Sequence, residues 1–292
     1  MGKLLEGRVA VVTGAGNGIG KAEAIELARQ GAKVVANDIG TSYDGMGSSN
    51  SPADAVVKEI RDAGNTAVAN YDSVATEEGA ANIIQTAIDQ YGRIDVLINN
   101  AGLVREPQGI YEFATEDWEI LLKTHLFGTF YCTRRAAAFM KKQGYGRIVN
   151  TASHVGLGWK GFAAYGAAKE GIVGFTRTAA RDIAEFGITC NAIRPIAAWR
   201  GTKEHIPLLA VNRPEDVASL AVYLASEQAD HINGCVFEVW RGHVGIYIEP
   251  PPVQKTLKKE GSWTVEELAE AIPQSLTKGR RREIFAETFH LD

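Results

Sequence analysis

Val9-Ala-Val-Val-Thr-Gly-Ala-Gly-Asn-Gly-Ile-Gly20 (VAVVTGAGNGIG) joins two signals that constrain the whole chain. Residues 9–13 are an unbroken apolar, β-branched run, which reads as a buried strand. A helical pattern follows over residues 18–30, so the glycines lie between a strand and the start of a helix. Glycine lets the backbone approach a ligand closely, and a helix start offers free amides and positive dipole charge to a pyrophosphate. The strict G-x-G-x-x-G spacing is absent because position 19 is isoleucine. The pattern present is T-G-x-x-x-G-I-G, with Gly14, Asn17, Gly18, Ile19 and Gly20 as candidate cofactor contacts.

The same alternation continues outward. Strands are expected at 32–37, 66–71, 94–98, 146–150, 188–193 and 236–239. Helices are expected near 53–63, 77–91, 116–142, 162–185 and 214–225. This order predicts an α/β fold with a doubly wound, seven-stranded parallel sheet and helices on both faces. Glu249-Pro-Pro-Pro252 marks a break between a nucleotide-binding domain at 1–249 and a C-terminal extension at 250–292. One short helix is expected in the extension, near 264–272. Lys278-Gly-Arg-Arg-Arg282 there reads as a solvated charged face, or as a site for phosphates.

Composition narrows the function. The 292 residues carry a net charge of −4, which argues against nucleic acid as a partner. The three cysteines, Cys132, Cys190 and Cys235, have neither disulfide nor zinc spacing, so no metal centre is expected and a reducing compartment fits. No leader segment, no apolar run near ~18 residues and no C-terminal retention signal are present, so the expectation is a cytoplasmic protein without membrane contact.

Asp38 ends the second strand, 18 residues after Gly20. A carboxylate there accepts both adenosine ribose hydroxyls and repels a 2′-phosphate, and neither Asn17 nor Ile39 is basic. NAD is therefore expected rather than NADP. Tyr165 and Lys169 are four apart on a helix and share a face, and Ser153 follows the fifth strand. Strand C-terminal ends meet the ligand crevice in such a sheet. An ammonium beside a phenol lowers the phenol pKa, so Tyr165 is suited to exchange a proton with an alcohol near neutral pH. The Ser153 hydroxyl would hold the carbonyl oxygen, and the nicotinamide would carry the hydride.

These motifs, together with Asn99-Asn-Ala-Gly102, resemble the short-chain dehydrogenase/reductase family, with its Rossmann fold, over residues 5–245. The resemblance implies that Asn100, Ala101 and Gly102 line the cofactor. It places Asp72 and Ser73 beside the adenine and Pro195 and Ile196 at the nicotinamide end, and it adds the nicotinamide ribose to the contacts of Lys169. It also implies a homodimer or homotetramer.

One position departs from the family pattern. Apolar residues at Trp118, Leu121, Leu122, Cys132, Ala136 and Met140 mark a buried helix face, capped by Thr115, and His125 lies on it. By periodicity alone His125 is a core histidine. The family usually has asparagine there, in N-L-x-G, holding a proton-relay water, whereas this chain reads His125-Leu-Phe-Gly128. Histidine at this position resembles the (3R)-hydroxyacyl-CoA dehydrogenase unit of peroxisomal multifunctional enzyme type 2 and its bacterial single-domain relatives. Asn37-Asp-Ile-Gly40, Ala67-Val-Ala-Asn-Tyr-Asp-Ser-Val74 and Val236-Phe-Glu-Val239 agree with that subgroup.

The resemblance implies catalytic roles for Ser153, Tyr165, Lys169 and His125, and an NAD-dependent oxidation of a secondary alcohol, foremost a (3R)-3-hydroxyacyl-CoA. A free secondary alcohol or steroid is the alternative small-molecule substrate. A non-catalytic, NAD-sensing protein is a further alternative, whose mark would be loss of Ser153, Tyr165 or Lys169. Trp159 and Trp199 either line an apolar substrate pocket or pack.

Overall fold

The computed structural model describes residues 3–42, 44–197 and 212–279. Trp199 and residues 280–282 therefore lie outside the described residues. The elements run β1 Val9–Thr13, α1 Gly18–Arg29, β2 Lys33–Asn37, α2 Ser51–Asp62, β3 Ala67–Asn70, α3 Glu77–Tyr91 and β4 Val96–Asn99. They continue with α4 Thr115–Leu122, α5 Gly128–Gln143, β5 Gly146–Thr151, α6 Ala163–Ile183, β6 Ile188–Pro195, α7 Pro214–Leu224, β7 Val236–Trp240, β8 His243–Ile246 and α8 Val265–Gln274. The chain divides into two compact units, Met1–Tyr247 and Ile248–Asp292.

In the first unit one sheet has the order β3-β2-β1-β4-β5-β6-β7-β8. Strands β1 to β7 are parallel, as the alternation predicts. β8 is an addition: it pairs antiparallel with β7 across a two-residue turn in which Gly242 has φ 68°. The sheet therefore has eight strands where seven were expected, because His243-Val-Gly-Ile246 is too short and too glycine-broken to read as a strand alone.

Side-chain alternation along the strands builds two cores. Ala10, Val12, Val34, Ala36 and Ile98 pack with Ala24 and Leu27 of α1 and Val217 and Ala221 of α7. Val9, Val11, Val35 and Leu97 pack on the other face with Ile83 and Ile84 of α3 and Cys132 and Met140 of α5. Each large apolar side chain so buried contributes about 1.5–3 kcal/mol relative to exposure. Strand order reverses between β1 and β4, and at that switch point the strand ends open a crevice.

The expected single helix over 116–142 is broken. α4 and α5 are joined by a π-helical turn, Lys123–Phe127, that contains His125. Such turns widen a helix locally and recur at functional sites. Gly128 closes the turn where the helix meets the 71–76 loop: a Cβ there would lie 3.0 Å from the Val74 side chain. Thr115 does not cap: it is the first helical residue, and Ala114 precedes it with no side-chain bond.

In the second unit, Thr264 and Glu267 form a reciprocal capping box at the start of α8. Among the described residues no helix is long and apolar enough to cross a membrane.

Candidate active site

The crevice at the switch point is a cavity of about 260 Å³. Gly14, Asn17, Gly18, Ile19, Asp38, Ser73, Asn100, Ala101 and Gly102 line it. Gly14 has φ 67°, and a Cβ there would lie 2.8 Å from the Ala101 backbone. Gly20 does not line the cavity. Its missing Cβ would lie 2.3 Å from Gly14 O, so this glycine lets α1 close onto β1. The Asp38 carboxylate accepts from Gly16 N at 2.8 Å and Gly40 N at 2.7 Å, which pins the glycine loop to the end of β2.

Thr13, not singled out from sequence, organises the far wall. Its hydroxyl accepts from the amides of Asn100 and Ala101, both at 3.1 Å. The Asn100 side chain donates to Thr13 O at 3.1 Å and Gly14 O at 3.2 Å. Behind it, Asn99 donates to Asn150 at 2.8 Å, and Asn150 to Thr176 at 2.9 Å, a buried amide ladder across β4, β5 and α6. Asp72 is not among the lining residues. Asn70 and Asn82 donate to its two oxygens at 2.8 and 3.2 Å.

Ser153, Tyr165 and Lys169 converge at the C-terminal ends of β5 and β6. Ser153 is buried, and its hydroxyl accepts from Val155 N at 3.1 Å, capping the short turn His154–Leu157. The Lys169 Nζ donates to Thr151 O at 2.6 Å and lies 5.5 Å from the centre of the Tyr165 ring. Burial pushes the Lys169 ammonium down to about 7. Burial also pushes the Tyr165 phenol up to about 12, against an opposing interaction with the Ser153 hydroxyl. The lowering of the phenol expected from Lys169 is not realised in the protein by itself, where desolvation governs the group.

His125 joins this group to the crevice. Its ring meets Tyr165 edge-on, with centroids 5.0 Å apart. Nε2 lies 2.8 Å from Leu103 O and 3.2 Å from Leu103 N. The shorter contact assigns the proton to Nε2, leaving buried Nδ1 as an acceptor without a partner among the described residues. Thr151 Oγ1 is a second buried polar atom without a partner among them. A Cβ on Gly102 would lie 2.3 Å from His125 Cε1, so the glycine is what admits the imidazole. Burial, then the Lys169 charge, push the imidazole down to about 3, with the Leu103 bond opposing. His125 is neutral at every physiological pH.

The family model for short chain dehydrogenases matches residues 8–198. The chain belongs to the short-chain dehydrogenase family. It is 47% identical over 242 residues to a peroxisomal hydratase-dehydrogenase-epimerase of Neurospora crassa, covering 82% of this chain and 27% of that protein. The chain thus spans about a quarter of that relative's length. A hydroxyacyl-CoA dehydrogenase of Mycobacterium tuberculosis is 36% identical over 290 residues, 92% of this chain and 88% of that one. A crystal structure of a short chain dehydrogenase from Mycobacterium avium superposes with a TM-score of 0.83 at 39% identity, covering 95% and 97% of the two chains. As a short-chain dehydrogenase the chain is an oxidoreductase that binds a nicotinamide cofactor. The crevice fits that group: the Gly14 cradle leaves room only for backbone, and Asp38 stands at the β2 end.

Several expected residues stand apart from the crevice wall. Pro195 ends β6, and Ile196 donates its amide to Val239 O at 2.9 Å. Trp159 lies 40% exposed beyond the turn after Ser153. The Leu103 backbone, which holds His125, was missed from sequence because a backbone role leaves no side-chain signal.

Proposed function

We propose that this short-chain dehydrogenase uses NAD to interconvert secondary alcohols and ketones, and that its favoured substrate is a (3R)-3-hydroxyacyl-CoA thioester. The convergence of Ser153, Tyr165, Lys169 and His125, with His125 set against Gly102 and Leu103 of the crevice wall, carries the reading. Asp38 supports NAD: it lines the crevice, and among the described residues none that line it is Lys or Arg. Likeness to a hydroxyacyl-CoA dehydrogenase along nearly the full length of both chains supports the thioester. The reading includes assembly as a homodimer or homotetramer.

Gly14, Asn17, Gly18 and Ile19 would hold the pyrophosphate, Asp38 the adenosine ribose, and Asn100, Ala101, Gly102 and Lys169 the nicotinamide half. The nicotinamide, when bound, accepts or supplies the hydride at the carbinol carbon. Ser153 and Tyr165 both reach the substrate oxygen. Ser153 donates to it; on oxidation Tyr165 takes the alcohol proton as it passes its own phenol proton on towards Lys169, and on reduction the protons move the other way. His125, whose Nδ1 has no partner among the described residues, would hold the water chain behind Lys169. The test is a panel of (3R)- and (3S)-3-hydroxyacyl-CoA thioesters, free secondary alcohols and steroids, each with NAD and NADP, followed by nicotinamide absorbance. Preferred turnover of free alcohols, or of NADP, refutes the corresponding half of the proposal.

A further inference from the structure

A polar group that the chemistry above does not use lies behind Ser153. In the β7–β8 hairpin Glu238 faces Gly245, and a Cβ on Gly245 would lie 2.7 Å from Glu238 Oε1. The glycine therefore leaves room for the carboxylate to lie across the hairpin. That carboxylate accepts from His243 Nε2 at 2.7 Å, Tyr247 OH at 2.9 Å and His154 Nε2 at 3.3 Å. His154 is buried and is the residue after Ser153. On the other side, Arg194 Nη1 donates to Ser153 O at 2.7 Å and to Glu170 Oε1 at 2.6 Å. The Arg194 guanidinium lies over the Tyr247 ring, 5.1 Å from its centre, which links the two halves of the group.

Ser153 is thus restrained from both directions: its carbonyl by Arg194, and the residue that follows it by Glu238. Its side chain is left to the cap on Val155 N and to Tyr165. Arg194 and His154 are buried while Glu238 and Glu170 are partly exposed, and ion pairs of this kind are weak evidence for stability. They are better explained by fixing one geometry. Burial pushes the Glu238 carboxyl up, but the bonds from His243, Tyr247 and His154 outweigh it and hold the group below the usual carboxylate range. Burial lowers the His154 pKa. The charge pattern is then a carboxylate acceptor facing a neutral imidazole donor.

We propose that Glu238 is a positioning residue for Ser153, acting through the His154 imidazole. It touches no reacting atom, and the proposal rests on Ser153 serving the reaction as proposed above. The His154 and Tyr247 bonds share Oε2, so a glutamine could keep both, whereas Glu238→Ala removes the acceptor of all three bonds. Small misplacements of a reacting group cost up to about 100-fold.

The test is a double-mutant cycle on the full chain with NAD and the best alcohol of the panel. The expected result is that Glu238→Ala lowers kcat about tenfold, leaves the KM for NAD unchanged, and causes no further loss in a Ser153→Ala background. His154→Ala should match Glu238→Ala, and His154→Gln, which replaces the Nε2 donor, should recover most of the rate. These variants keep the test open should Glu238→Ala not fold. Losses that multiply in the double variant, a full-rate Glu238→Ala, or His154→Gln no better than His154→Ala would overturn the positioning role. A Ser153→Ala variant as active as wild type, or a wild type inactive on the whole panel, would instead overturn the functional reading and this inference with it.

Discussion

Glu23 offers a prediction whose size follows from the structure. It lies on α1, is fully buried, and neither carboxylate oxygen has a hydrogen-bond partner among the described residues. Desolvation pushes its pKa from 4.5 up to about 8. The proton is therefore retained in the native state and released in the unfolded state between those values, so stability is full below pH 4.5 and falls as pH rises through 8. At 1.36 kcal/mol per pH unit, the loss is about 1 kcal/mol at pH 5, about 3 at pH 7 and just over 4 at pH 8, levelling near 5 above pH 9. Glu23→Gln keeps the shape and the buried polar atoms but cannot ionise.

The two proteins should have equal urea midpoints near pH 4.5 and diverge steadily above it, with the variant the more stable. By pH 8 the gap of roughly 4 kcal/mol corresponds to ~8–16 °C in melting temperature for a domain of this size. Unfolding followed by tryptophan fluorescence at pH 5, 7 and 8, without cofactor, measures it. Parallel pH dependence in the two proteins would refute the reasoning, because it would mean that Glu23 is ionised in the native state or has a partner there.

Three further outcomes test the site. His125→Asn should keep most of the activity and His125→Leu should lose most of it, roughly 100-fold in kcat, since only the first retains polar atoms beside Leu103; steady-state kinetics decide, and equal rates would return His125 to a packing role. Tyr165→Phe should lower kcat by about 1,000-fold or more while NADH binding, read by fluorescence titration, stays within about twofold, because the phenol hydroxyl handles the proton and not the cofactor. Asp38→Asn should raise the NADP-to-NAD ratio of kcat/KM by about tenfold, through loss of repulsion against a 2′-phosphate; an unchanged ratio would show that specificity lies elsewhere.

The β1–glycine–α1 stretch made the sheet legible because a strand buried on both faces and a helix start have distinct residue signatures. β8 escaped because four residues with a glycine carry no periodicity of their own; its partner across the turn supplies the pairing. The helix over 116–142 was read as continuous because a π turn shifts phase by a single residue, which leaves the flanking periodicity nearly intact. That shift is nevertheless what carries His125 to Gly102 and Leu103. The crevice-lining glycines, Asp38 and Asn100 were legible as side-chain types at fixed spacing. Thr13, Leu103 and Glu238 were not, because they act on backbone groups or on residues far away in sequence, and only the folded register brings those together.

The ionisation states of the site follow one physical cause. Burial favours the uncharged form of Tyr165, Lys169 and His125 alike, at about 12, 7 and 3. In the protein alone the phenol keeps its proton, the imidazole is neutral, and only Lys169 titrates near neutrality. A charge arising in such desolvated surroundings is felt strongly by its neighbours. Negative charge developing on the Tyr165 oxygen or on a substrate oxygen would raise the affinity of Lys169 for its proton, and a charged Lys169 would in turn stabilise that oxygen. The two groups then titrate as a pair, so an inflection in a pH–rate profile belongs to both residues and not to the phenol alone. His125 stands outside this exchange. Its pKa is too low for it to take up charge, so its contribution is confined to hydrogen bonds, with Nε2 fixed on Leu103 and Nδ1 left to accept from water.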